Sequence, residues 1–195
     1  FLDIDILKNK NYEEVALSVI NPYVSDEVSE IDLKKIINDS YKNFSHSDIA
    51  PIVPIGQNKY ILELFYGPTF AFKDYALQFL GNLFTYAVPK ASKKLTVLGA
   101  TSGDTGSAAI EAFRGKEDIN VFILHPHNRV SDVQRRQMTT VQDDNVFNIA
   151  IKGNFDDCQN LIKEVFSDED YKKSKNLGAI NSINWARIMC QITYY

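Results

Sequence analysis

Two stretches hold the residue types from which an active site can be assembled: Gly67-Pro-Thr-Phe-Ala-Phe-Lys73-Asp74 and Ala100-Thr-Ser-Gly-Asp-Thr-Gly-Ser107. The first sets a lysine at or near the first turn of a helix whose apolar positions are Ala76, Leu77, Leu80 and Phe84. An amine in that place can form a Schiff base with a carbonyl. A lysine by itself is usually a solvated charge, so its surroundings carry the reading. Phe70, Ala71 and Phe72 are expected to desolvate the ammonium, and the partial positive charge of a helix N-terminus pushes the same way, toward the neutral amine. Asp74 pulls in the opposite direction if its carboxylate lies close.

The second stretch falls between the apolar run Leu95-Thr-Val-Leu-Gly-Ala100 and the helical pattern Ser107-Ala-Ala-Ile-Glu-Ala-Phe113. Hydroxyls and helix-start amides crowded at the end of a strand can hold an anion. The same residues also suit a plain βα turn, with glycine taking unusual dihedrals and Asp or Thr capping the helix. No Gly-Lys-Ser/Thr follows and the glycine spacing is not Gly-x-Gly-x-x-Gly, so neither nucleotide-phosphate loop is present. A third constellation, Gly178-Ala-Ile-Asn181-Ser182-Ile-Asn184-Trp-Ala-Arg187, offers amide, hydroxyl and guanidinium groups for a second anion, or else a helix cap beside a surface arginine. His125 and His127 flank Pro126 with no third ligand at suitable spacing, so no metal site is expected and both read as structural or surface residues. A lysine suited to a Schiff base together with an anion-holding turn points to a pyridoxal-phosphate enzyme acting on a charged amino acid.

The elements that must position these residues follow from periodicity. Residues 11–20 and 29–44 carry apolar side chains at helical spacing, the second with Ser29 as N-cap. They suggest a small helical lobe over residues 1–50. Ala50–Ile55 and Tyr60–Tyr66 read as a hairpin around Gly56-Gln-Asn-Lys59. Beyond it, helix 71–87, strand 95–100, helix 106–114, strand 119–124, helix 132–141, strand 145–151 and helix 155–166 alternate, which predicts an α/β region over 51–195 built on a parallel sheet covered on both faces. Ser167–Lys175 reads as a solvated surface stretch, and an apolar helix is expected from about Asn184. A chain that opens on Phe1 and stops inside that helix reads as a fragment.

Composition narrows the class. With 195 residues and 45% hydrophobic content the chain can bury a core of ordinary size. A net charge of −4 and the lack of a basic stripe give no reason to expect a nucleic-acid partner. No apolar run approaches the about 20 residues of a membrane helix, and no signal-peptide pattern opens the chain. Cys158 and Cys190 share no short spacing and read as buried thiols of a reducing compartment, so a cytoplasmic setting is expected.

Three segments together go further. Leu64-Phe-Tyr-Gly-Pro-Thr-Phe-Ala-Phe-Lys-Asp-Tyr-Ala-Leu-Gln-Phe-Leu-Gly81, Gly99-Ala-Thr-Ser-Gly-Asp-Thr-Gly-Ser-Ala-Ala109 and Asn181-Ser-Ile-Asn-Trp-Ala-Arg-Ile188 closely resemble the threonine synthases of many bacteria and of fungi. The resemblance implies a small N-terminal domain followed by part of a fold-type II pyridoxal-phosphate catalytic region, similar to that of tryptophan synthase β. It implies a carbon–oxygen lyase that converts O-phospho-L-homoserine and water to L-threonine and phosphate. Lys73 then matches the lysine that carries pyridoxal 5'-phosphate and moves protons, and Asp104 the position beside the cofactor's ring hydroxyl. Thr101, Ser102 and Thr105 match the turn that holds substrate carboxylate and phosphate, while Asn181, Ser182 and Arg187 match the segment that grips the phosphate. The loop for the cofactor's own phosphate and the partner of its ring nitrogen would lie beyond Tyr195. Monomer and homodimer both remain compatible. Two rival readings are another fold-type II lyase, such as a serine or threonine dehydratase or a cysteine synthase, and a non-catalytic relative that binds a phosphorylated metabolite; the 181–187 segment speaks against the first and Lys73 against the second.

Overall fold

A computed structural model describes residues 4–88, 93–180 and 185–195. The chain forms two compact units, Phe1–Asn82 with Ile183–Tyr195, and Leu83–Ser182.

The first unit starts with α1 (Tyr12–Val24), fixed by a capping box in which Asn11 Oδ1 accepts from Glu14 N and Glu14 Oε2 accepts from Asn11 N, both at 2.9 Å. α1 runs past the expected end and carries Pro22 in its last turn, at the loss of one backbone hydrogen bond. α2 (Glu30–Tyr41) begins as expected at Ser29, whose hydroxyl accepts from Asp32 N. Its buried Leu33, Ile36, Ile37, Ser40 and Tyr41 fall on one helical face. The hairpin follows as β1 (Ile52–Gly56) and β2 (Lys59–Leu62), with Asn58 at φ 56° in its two-residue turn. α3 (Lys73–Ala87) continues from this unit, and α8 (Trp185–Gln191) closes it against α1. The core is an aromatic layer: the ring centroids of Tyr12 and Tyr41 are 5.0 Å apart, Phe44 and Tyr75 4.8 Å, and Tyr75 and Tyr194 5.4 Å. The Tyr41 hydroxyl donates to Tyr75 O at 3.1 Å and that of Tyr75 to Ile49 O at 2.6 Å.

The second unit is the parallel α/β sheet that the alternation predicts. It comprises β3 (Leu95–Ala100), α4 (Asp104–Phe113), β4 (Ile119–Pro126), α5 (Asp132–Thr139), β5 (Val146–Ile151), α6 (Phe155–Ser167), α7 (Glu169–Ser174) and β6 (Leu177–Ala179). Residues alternate in facing: Leu98 and Phe122 lie toward α6 and α7, whereas His125 and Asn148 lie toward α5. The surface stretch 167–175 is exposed as expected but includes the short helix α7, capped by Asp168, which accepts from Tyr171 N at 2.9 Å. Strand order is β5-β4-β3-β6. The chain therefore steps outward from β3 to β5 and then returns to add β6, a strand the periodicity does not reveal, on the other side of β3. Ligands of open parallel sheets sit at the carboxyl ends of strands where the order reverses, which here means beyond Ala100 and Ala179.

Candidate active site

The turn after β3 occupies that switch point, and its shape rests on Thr101. This residue is 2% exposed, and its Oγ1 accepts from Gly103 N at 2.9 Å and Gly106 N at 2.8 Å while donating to Gly103 O at 3.0 Å. Its backbone N–H extends the sheet to Leu124 O. Gly103 has φ 153°, which only glycine adopts readily, and a Cβ there would strike the Gln134 side chain. A Cβ on Gly106 would come within 2.7 Å of Met138 Sδ, so glycine lets α4 approach α5. Gln134, on α5, donates through Nε2 to Asp104 and accepts through Oε1 from Ser131 Oγ at 2.8 Å. Asp104 is thereby oriented by a residue far away in sequence.

The hydroxyls expected to hold an anion are thus not equivalent. Thr101 is engaged inside the turn and Thr105 is 8% exposed. Ser102 is exposed, and no hydrogen bond holds its side chain among the described residues. It sits just ahead of the first turn of α4, whose N–H groups carry partial positive charge. Ile180 N donates to Leu98 O at 3.1 Å, and a Cβ on Gly99 would meet Ile180 O at 3.0 Å, so the path toward the third constellation leaves the sheet beside this turn. Asn181, Ser182 and Asn184 lie outside the described residues.

Lys73 is the first residue of α3 and is half-buried. The loop before it is locked by Asp74, which is fully buried: Oδ2 accepts from Thr69 N at 2.7 Å and Oδ1 from Thr69 Oγ1 at 2.6 Å. A Cβ on Gly67 would lie 2.5 Å from that of Asp74, so the loop closes only over glycine. Phe70 is held at φ 62°, a strained conformation for a bulky residue, immediately ahead of the lysine. The expected apolar enclosure takes a different form. Phe70 is 69% and Phe72 42% exposed, and Lys73 Nζ lies 4.3 Å from the centroid of the Phe72 ring in a cation–π contact. Both rings precede the helix and turn outward, since the loop's hydrogen bonds fix its backbone.

Arg187 differs from the surface arginine that spacing allows. It is 1% exposed in the aromatic layer with Tyr194 and Cys190, and burial lowers its pKa. Burial also pushes the Cys190 thiol up to about 12. Both cysteines are free and buried, as expected. His125 is buried and His127 exposed, and no cluster of three or more His, Cys, Asp or Glu among the described residues could hold a metal ion.

Relatives now bear on this arrangement. The family model described as threonine synthase N terminus matches residues 2–41. The threonine synthase of Pseudomonas aeruginosa is 53% identical over 184 residues, covering 94% of this chain and 39% of that protein. The crystal structure of the PLP-bound threonine synthase of Brucella melitensis superposes with a TM-score of 0.91 at 46% identity, over 98% of this chain and 41% of the other. The chain is a homologue of the N-terminal portion of the threonine synthases. Yeast threonine synthase superposes with a TM-score of 0.89 at 46% identity, over 100% of this chain and 40% of its own. The chain therefore spans about two fifths of the threonine synthases it matches. Its α/β fold, N-terminal helices followed by a four-stranded parallel sheet, is that of threonine synthase. No helix among the described residues is long and apolar enough to cross a membrane.

Proposed function

We propose that this chain supplies the lysine-bearing and substrate-binding portion of a threonine synthase, which converts O-phospho-L-homoserine and water to L-threonine and phosphate. The observation that carries the reading is Lys73 itself: a half-buried amine at the first position of α3, at the end of a loop locked by Asp74, Thr69 and Gly67. The residues present fit pyridoxal 5'-phosphate in two respects. Lys73 offers the amine that takes up its aldehyde carbon, and Asp104, already oriented by Gln134, offers a carboxylate for its ring hydroxyl. When bound, the cofactor supplies an electron sink for carbanion chemistry.

The chain's own residues do the rest. The Lys73 amine takes the proton from the substrate Cα and returns protons later in the reaction. Ser102 and the amides at the start of α4 donate to the substrate carboxylate, while Thr101 keeps that turn in shape and Thr105 is buried in the first turn of α4. Asn181, Ser182 and Arg187 grip the substrate phosphate. A guanidinium already removed from water, as that of Arg187 is, attracts an arriving dianion more strongly than a solvated one. A helical lobe over 1–50, a catalytic region over 51–195 and a cytoplasmic setting belong to the same proposal.

Lys73→Ala in the full-length protein tests it. The variant gives up the cation–π contact with Phe72 and should unfold within about 1 kcal/mol of wild type. It should lose turnover of O-phosphohomoserine and the peptide labelled by borohydride in the presence of pyridoxal phosphate. Continued labelling, or a labelled wild-type peptide without Lys73, removes the lysine from the chemistry.

A further inference from the structure

A second polar cleft of about 280 Å³ opens at the carboxyl ends of β4 and β5, beneath α5. It is lined by His125, His127, Asn128, Arg135, Thr139, Asn148 and Ala150, and no carboxylate is among them. Two lining atoms are buried without a protein partner among the described residues, Nδ1 of His125 and Oδ1 of Asn148. Neither is an accident of loose packing. His125 is 4% exposed near the carboxyl end of β4, and Asn148 is anchored by Nδ2 donating to Met138 O at 2.9 Å, so its Oδ1 must point the other way. Arg135 pairs only weakly, at 3.4 Å, with the exposed Asp132. Thr139 gives its hydroxyl hydrogen to Arg135 O at 2.9 Å and keeps its lone pairs.

Buried polar atoms left unpaired are costly, and two lining one cleft beside a guanidinium and an exposed imidazole call for a ligand that answers them. We propose that this cleft binds a small oxyanion carrying a proton, with monohydrogen phosphate as the simplest member. Its oxygens accept from Arg135, His127 and His125 Nδ1–H, and its own hydroxyl donates to Asn148 Oδ1. Burial lowers the pKa of His125, with His127 and Arg135 acting the same way against a backbone hydrogen bond with Pro126 that raises it, so the neutral imidazole can present Nδ1–H without a second buried charge. An anion without a proton satisfies the donors but leaves Asn148 Oδ1 facing negative oxygen, so sulfate should bind less well. The site uses none of the residues assigned to the reaction proposed above and does not rest on that reaction.

The test is a titration of full-length protein carrying ¹³C-labelled histidine, at pH 7 and constant ionic strength, with the signals of His46, His125 and His127 assigned through H46Q, H125Q and H127Q. Inorganic phosphate should shift His125 and His127 along one saturating curve and leave His46 still. Sulfate, which leaves the buried Asn148 Oδ1 unpaired, and the R135Q variant, which loses a charge-assisted hydrogen bond, should each raise the half-saturating concentration at least about tenfold. Absence of a saturating shift, equal response to sulfate, an R135Q curve like the wild type's, or a parallel shift of His46 would each overturn the proposal. Phosphate bound at the substrate site would follow a curve that R135Q leaves unchanged, so the readout separates the two sites.

Discussion

Thr101→Val replaces one hydroxyl by a methyl of nearly the same shape, so any effect comes from hydrogen bonding and not from a cavity. In the folded turn Oγ1 accepts from the amides of Gly103 and Gly106, both buried. Valine orphans the Gly103 amide, whereas Gly106 N keeps its second acceptor, Gly103 O. Gly103 O, which Thr101 also contacts, keeps Gly106 N at 3.1 Å and Ser107 N at 3.3 Å and adds nothing to the loss. At about 1–3 kcal/mol for one orphaned buried donor, the variant should be destabilised by about 2 kcal/mol and at most about 3. For a chain of this size that lowers Tm by roughly 4–8 °C. Urea unfolding followed by circular dichroism should show the midpoint falling with an unchanged slope. Thr101→Ser keeps the oxygen and gives up only Cγ2, so it should lose about 1 kcal/mol and retain most turnover in the full-length protein. The reasoning fails if Thr101→Val unfolds within about 0.5 kcal/mol of wild type, or if serine is as damaging as valine. A serine variant that folds well but cannot use O-phosphohomoserine would return Thr101 to direct substrate contact.

Asn145 ties a loop by donating from Nδ2 to Phe113 O at 2.8 Å, Lys116 O at 3.2 Å and Ile119 O at 2.8 Å and accepting from Gly115 N at 2.9 Å. Asn145→Asp, which cannot donate to those carbonyls when ionised, should cost about 2–4 kcal/mol by urea midpoint, and a loss under about 1 would show that solvent replaces them. Cys190 should resist Ellman's reagent at pH 8 in the native protein and react on unfolding. With its pKa raised to about 12 from 9.0, the folded state holds the thiol proton where the unfolded chain has released it. Stability from this group is therefore complete below about pH 8.5 and declines as pH rises toward 12, by at most about 1.4 kcal/mol per pH unit. Cys190→Ala should flatten that decline, and an identical slope in the variant would assign it to the neighbouring tyrosines.

Local pattern determined much of this protein from the sequence alone. Ser29 caps α2 because a hydroxyl three residues ahead of a free amide needs no distant help, and Leu95–Ala100 forms a strand because a short apolar run with β-branched members suits a covered sheet. Lys73 at the start of α3 and the glycine-bearing turn after β3 were legible for the same reason, since each is set by residues within one turn of chain. Tertiary structure decided what those side chains can reach. Gln134 orienting Asp104, the returning β6 that makes the end of β3 a switch point, and the burial of Arg187 in the tyrosine layer all depend on residues brought together by the fold. Hydroxyls alike in sequence became unlike in space: Thr101 faces inward and is satisfied by amides, whereas Ser102 faces solvent. Spacing along the chain fixes which residues are near in sequence, but exposure and hydrogen-bond partners are set by long-range packing, and chemistry follows from those.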